Sequence, residues 1–300
     1  MMNSSLKRIG RSVGLHHVVR RLRRASGRPR LLPSDGARLA KRDVVVLDEF
    51  HDLIKRVARG QPRPRRYEDI VALAFDGLHD VKRGPVDQHA AVRSVVVDQF
   101  HRLYYHSSAS TWKQTFFNGV TIWKCPLDLW LYQEIIAEIK PDLIVETGTA
   151  YGGSAYYLAS LCDFHNHGRV VTIDIVHKPD RPQHPRITYI NGSSVDPAIV
   201  GTVAGMVNED STVLVILDSD HSHGHVLAEL RTWHGLVSVG SYVIVEDSNI
   251  NNHPAHPRFG PGPMEAIDEF LSESDRFVVD ETKHKFLMTF NPRGYLKRIR

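Results

Sequence analysis

The sequence predicts a doubly wound α/β fold with a mostly parallel sheet, and two observations carry that expectation. The first is Leu143 to Ser154, LIVETGTAYGGS. Here a short apolar run stops at an acid, Glu146, and enters a turn rich in glycine (Gly148, Gly152, Gly153) before a helical pattern begins. A strand, a tight turn and a helix in that order let backbone N–H groups and the positive end of a helix approach a ligand closely. The second is that two later apolar runs also end on carboxylates: Ile216 and Leu217 pass into Asp218, Ser219, Asp220 and His221, and YVIVED ends on Glu246 and Asp247. In an open parallel sheet such strand ends share one edge, and the ligand crevice lies there.

The elements follow in order. Residues 1 to 30 hold nine Lys or Arg and no acid, so the formal charge of +4 belongs to this arm and the other 270 residues sum to about minus five. The body is therefore unlike a wholly basic nucleic-acid-binding protein, and no specific nucleic acid is expected. Within the arm Leu6, Ile9 and Val13, then Leu15, Val18 and Leu22, recur at helical spacing among arginines. Such a segment can lie on an anionic membrane surface, although Gly10 and Gly14 weaken the helix and a solvated tail is the rival reading. The two thiols, Cys125 and Cys162, form no disulfide framework, and no apolar run approaches the roughly 18 residues of a membrane span. A cytoplasmic protein is expected, peripheral to a membrane if the arm binds one.

Residues 1–42 are read as basic arm and linker, 43–110 as a helical region and 111–300 as the main domain. Helical patterns cover Val44 to Ala58, Tyr67 to Val81 and Val86 to Tyr105, and their simplest role is packing or homo-oligomerisation. Tyr104, Tyr105, Trp112, Phe116, Phe117 and Trp123 then crowd a short stretch ahead of a helix at Leu127 to Ile139. They could line an acceptor site, Trp112 and Trp123 foremost, or simply pack. After the glycine turn come a helix at Ser154 to Leu161, a strand RVVTIDI ending at Asp174, and a strand at Arg186 to Ile190. Next are a helix at Ala198 to Val207 and a strand at Thr212 to Leu217. Asn249 to Pro263 reads as a long polar loop, a lid or a plain connection. A helix at Met264 to Leu271, a hairpin from Phe277 to Phe290 and a basic tail from Arg293 end the chain.

From about residue 100 onward the chain resembles the cephalosporin hydroxylase and rhamnosyl O-methyltransferase family. The resemblance runs through TWKQTFFNGVTIWKCPLDLWLYQEI, VETGTAYGGS, LDSDHSHGHVLAEL, GSYVIVEDSN, GPGPMEAIDEFL and TFNPRGYL. It implies a Rossmann-like methyltransferase fold with seven strands, S-adenosylmethionine and Mg²⁺ as cofactors, and methyl transfer to a hydroxyl of a small-molecule or glycolipid acceptor such as a deoxysugar. The cofactor is expected on Glu146, Thr147, Gly148, Tyr151, Gly152 and Ser154 of the glycine turn. Asp174 is expected at its ribose, Ser193 or Ser194 at its adenine, and Asp218 also within reach. Asp218, Glu246 and Asp247 are the metal set the resemblance implies, and hard carboxylate oxygens suit Mg²⁺.

His221, three residues beyond Asp218, is the expected general base, since an imidazole titrates near neutral pH. Two other readings remain open at this point. His221, His223 and His225 could form a transition-metal set for an oxygenase or hydrolase, provided the segment is extended. Alternatively the fold could be a scaffold, with the basic arm recruiting a membrane or nucleic acid.

Overall fold

The computed structural model describes residues 87–300, with side chains from 96 onward. Val97–Arg300 form one compact unit, which holds the sheet. The expected basic arm and the helices at 44–58 and 67–81 lie outside the described residues. The third expected helix is α1, Asp87–His106.

Two short strands, β1 (Phe116–Phe117) and β2 (Val120–Thr121), form a small antiparallel pair. Helix α2 (Pro126–Ile139) starts with proline in its first turn, where the missing N–H costs nothing, and stops at Lys140 in the left-handed conformation just before Pro141. There follow β3 (Leu143–Thr147), α3 (Gly153–Phe164), β4 (Arg169–Asp174), β5 (Ile187–Asn191), α4 (Pro197–Ala204), β6 (Val213–Leu217), α5 (His223–Trp233) and β7 (Tyr242–Val245). The chain ends with α6 (Pro263–Glu273), β8 (Phe277–Val279) and β9 (Tyr295–Arg298). The seven strands of the main sheet run in the order β5-β4-β3-β6-β7-β9-β8. Those from β5 to β7 are mutually parallel, and β9 is antiparallel to both β7 and β8. This is the doubly wound, seven-stranded fold that the sequence predicts.

Strands β3 and β6 are buried along their whole length, so their side chains alternate between two cores rather than between core and water. Leu143, Val145, Val215 and Leu217 face one core with Leu230 and Trp233 of α5 and Ile267 and Phe270 of α6. Ile144, Leu214 and Ile216 face the other, with Leu131 and Ile135 of α2 and Leu158 of α3. Each such aliphatic burial stabilises the fold by about 1.5–3 kcal/mol before entropy is counted. The chain order reverses direction between β3 and β6, and that switch point fixes where a crevice opens.

One element differs from expectation. The hairpin predicted over Phe277–Phe290 is formed instead by β8 and β9, so the second strand lies in the segment read as a basic tail. Met288 and Phe290 pack with Cys125, Tyr105 and Trp112, and the Phe290 N–H donates to Asp128 Oδ2 at 2.8 Å rather than to a neighbouring strand. Tyr295 and Leu296, adjacent and so on opposite faces of β9, reach one core each. Among the described residues no helix is long and apolar enough to cross a membrane.

Candidate active site

At the carboxyl ends of β3, β4, β6 and β7 lies a crevice of about 560 Å³. Its position follows from the glycine turn. Gly148 sits at φ +85°, and a Cβ there would come within 1.8 Å of the Asp218 carbonyl oxygen, so only glycine lets the turn after β3 press against the end of β6. Gly152, at φ +80°, turns the chain into α3, the first turn of which carries Ser154.

Most of the expected cofactor residues meet here. Gly148, Tyr151, Ser154, Asp174, Ser193, Ser194 and Asp218 line the crevice. Glu146 and Thr147 lie fully buried at the end of β3, behind it. Glu146 Oε2 accepts from Thr172 Oγ1 at 2.6 Å, while its Oε1 is buried without a partner. Asp174 Oδ2 accepts from the Ala150 N–H and from Arg181 Nη2, both at 2.9 Å, and Oδ1 accepts from the Val176 N–H at 2.8 Å. A carboxylate has about four acceptor positions, so Asp174 keeps one for a hydroxyl. Ser194 turns inward, its hydroxyl donating to the buried Glu229 Oε1 at 2.5 Å, while its neighbour Ser193 faces the crevice.

Across the crevice floor Asp218, His221 and Asp247 place one ligand atom each within 4.8 Å of one another. Asp247 occupies the left-handed region at φ 53°, which turns its carboxylate back from the end of β7 toward Asp218. His221 Nε2 stands 3.1 Å from Asp247 Oδ2 and 3.9 Å from Asp218 Oδ1. Burial works to lower its pKa, but Asp247, Asp218 and Glu246 outweigh it and raise it to about 9. Glu246, expected as a third metal ligand, stands outside this group. Its Oε1 accepts from Lys124 Nζ and, at 2.8 Å, from the Tyr132 hydroxyl. Burial and the neighbouring Asp218 push its pKa up against the pull of Lys124.

The three histidines do not act together. Helix α5 begins at His223, and the side chains go to three separate carboxylates: His221 to Asp247 at 3.1 Å, His223 to Glu269 at 3.0 Å, and His225 to Glu229 at 3.4 Å. The transition-metal set that extended spacing would allow is therefore absent among the described residues. Of the aromatics, Trp112 is stacked on Tyr105 at 5.6 Å and packs edge-on to Phe290, so packing holds it even though it reaches the crevice. Trp123 is 43% exposed and meets Tyr151 edge-to-face at 5.1 Å on the rim.

Sequence reasoning missed two residues, Lys124 and Arg181, both under a tenth exposed. The signal for Lys124 was a lone cation set between Trp123 and Cys125 in an aromatic stretch. Nothing local marked Arg181, which reaches Asp174 from a loop seven residues on.

The family described as Rhamnosyl O-methyltransferase/CmcI matches residues 109–299. The chain belongs to that family. The rhamnosyl O-methyltransferase of Mycobacterium tuberculosis is 41% identical over 210 residues, covering 68% of this chain and 85% of that one. Its namesake in Mycobacterium leprae is 38% identical over 211 residues, covering 68% and 90%. A solved CmcI structure carrying Mg and S-adenosylmethionine aligns over 63% of this chain and 78% of that one, with 22% identity and a TM-score of 0.49. As a member of the family the chain is an O-methyltransferase.

Proposed function

We propose that the enzyme methylates a hydroxyl of a sugar, rhamnosyl-like, on a glycolipid or secondary metabolite, with Mg²⁺ held at the crevice floor. The observation that carries this reading is the convergence of Asp218, His221 and Asp247 beside the glycine turn and Asp174. The residues fit both groups. Hard carboxylate oxygens suit a divalent cation, with His221 beside them for the proton, and the free acceptor position on Asp174 suits a ribose hydroxyl.

When bound, S-adenosylmethionine would supply an electrophilic methyl group and a divalent cation would polarise the acceptor hydroxyl. The chain's own residues do the rest. Ala150 N–H, Val176 N–H and Arg181 fix the Asp174 carboxylate, so the ribose end of the cofactor finds it already oriented. Asp218 and Asp247 would hold the cation, and His221 Nε2 would take the acceptor proton. The carboxylates that hold His221 protonated are the ones such a cation would neutralise, which is what a base at this place needs. Trp123 and Tyr151 offer an exposed aromatic edge on which the apolar face of a deoxysugar can rest. The relatives named rhamnosyl O-methyltransferase support this acceptor class.

The test is transfer of labelled methyl from S-adenosylmethionine to a panel of rhamnosides, with Mg²⁺ and with EDTA. Cation-dependent labelling of rhamnosides is expected. Turnover that survives EDTA would remove the metal from the reading, and methylation of phenols but not sugars would remove the acceptor class.

A further inference from the structure

Tyr105, in the last turn of α1, has no part in the chemistry above, yet it lines the same crevice as Asp218, His221 and Asp247. Its ring is fixed. It stacks on Trp112 with centroids 5.6 Å apart and meets Phe290 edge-on at 5.5 Å, while Trp112 Nε1 donates to the Tyr105 carbonyl at 3.0 Å. A phenylalanine would satisfy all of these contacts. What it would lack is the hydroxyl, which has no hydrogen-bond partner among the described residues and is not sealed from the crevice. Burial, and then the charge of Asp247, push its pKa up to about 12, so at neutral pH it is a neutral donor that feels the carboxylate. A tyrosine hydroxyl in such a half-buried place ordinarily finds a partner.

The sheet order separates this group from the cofactor end. Asp174 and Asp247 close strands three places apart, about 14 Å at the usual strand spacing. Tyr105 belongs to the Asp247 side, because Phe290, against which its ring packs, immediately precedes Asn291, whose Oδ1 accepts the Asp247 N–H at 3.1 Å. The other polar side chains on that side are committed. Asp218, His221 and Asp247 face one another, Lys124 Nζ donates to Asp218 and Glu246, and the Lys113 ammonium lies over the rings of Trp112 and Trp123 at 5.0 and 5.3 Å. Tyr105 also precedes residues 109–299, which carry the family likeness, so it can choose an acceptor without touching the shared chemistry.

We propose that the Tyr105 hydroxyl hydrogen-bonds an acceptor hydroxyl next to the one methylated, so that α1 selects acceptors with neighbouring hydroxyls. This rests on the sugar reading given above and adds the diol to it. Tyr105 is a specificity residue: its hydroxyl holds the acceptor and leaves the cofactor and the methyl step alone.

Steady-state methyl transfer by Tyr105→Phe tests it, using a rhamnoside that the wild type methylates and analogues in which a hydroxyl next to the methylated one is replaced by hydrogen. Phenylalanine keeps the stack on Trp112 and the edge contact with Phe290, so calorimetric affinity for S-adenosylmethionine is expected to be unchanged. For the full rhamnoside the acceptor KM rises about threefold to tenfold, the loss of one neutral hydrogen bond, while kcat stays within about twofold. For one of the analogues wild type and variant share the same KM, because the partner is already gone. An unchanged KM for the full rhamnoside overturns the proposal. So does a rise that persists with every analogue, or one accompanied by a fall in cofactor affinity, since either makes Tyr105 a packing residue. Wild-type protein that methylates no rhamnoside refutes the sugar reading itself, and this inference falls with it.

Discussion

Arg181 Nη2 donates to Asp174 Oδ2 at 2.9 Å, and the same nitrogen donates to the Val176 carbonyl at 2.8 Å. The guanidinium, buried to 7% exposure, thus locks the acid at the end of β4 to the loop that follows it. Asp174→Ala is expected to weaken S-adenosylmethionine binding about tenfold to a hundredfold, the loss of one charge-assisted hydrogen bond. Arg181→Ala leaves the carboxylate in place but loose, and a loss of about threefold to tenfold is expected. Calorimetric titration of both variants checks this. Equal affinity for wild type and Asp174→Ala would take the ribose away from Asp174.

His221→Ala should separate chemistry from binding. The imidazole contacts Asp247 and Asp218 but no element of the glycine turn, so cofactor affinity is expected to hold while kcat falls by about 10² to 10⁴. Single-turnover methyl transfer alongside the cofactor titration reads both quantities. A variant with near-normal kcat would mean that another group, or solvent, accepts the proton.

Asp174 and His221, on which these predictions turn, were legible in the sequence, and the reason is topological. Acids placed directly after apolar strands must arrive at one edge once the sheet is parallel, so Asp174, Asp218 and Asp247 could be brought together without coordinates. The α/β order was legible for the same reason, since β3 and β6 are continuous apolar runs bounded by turn residues. Lys124 and Arg181 were not legible because their partners are set by tertiary approach: Lys124 meets Asp218 across 94 residues of chain. The last strand was misplaced because Leu287 to Phe290 has the apolar character of a strand, but its Met288 and Phe290 go into the cluster with Cys125 and Trp112. Glu246 and Asp247 are adjacent in sequence, yet only Asp247, with its positive φ, turns to face His221.

One carboxylate gathers three groups of the long polar loop after β7. Glu265, in the first turn of α6, accepts from the Gly262 N–H at 2.7 Å, from Asn251 Nδ2 at 3.0 Å and pairs with His253 at 2.8 Å. Burial would raise its pKa, but these donors bring it down from 4.5 to about 2. A carboxylate depressed in the folded state stabilises the fold above its unfolded pKa and loses that contribution as pH falls through the folded one. The wild type is therefore expected to melt higher than Glu265→Gln at pH 7, with the gap closing between pH 4.5 and about 2. Thermal melts across pH 7 to 3 would show it, and a gap that widens with acid would contradict the assignment.

Asp128 supplies the corresponding test for the end of the chain. From the first turn of α2 it accepts the Phe290 N–H at 2.8 Å, the Tyr295 hydroxyl at 2.9 Å and the Thr289 hydroxyl, so one buried carboxyl fastens the stretch before β9 and the first residue of that strand. Burial raises its pKa to about 6 even though these three bonds oppose the shift. Because the folded value lies above the unfolded one, ionisation of Asp128 costs stability as pH rises past 3.8, and acid removes that cost. Asp128→Ala abandons three buried donors at once and is expected to cost about 3 kcal/mol or more at pH 7. Asp128→Asn keeps an acceptor oxygen without the buried charge, so it should cost clearly less than alanine. The ranking follows from hydrogen bonding rather than volume, and urea denaturation of the two variants decides it: equal losses would mean that packing, not the carboxyl, holds β9 in the sheet.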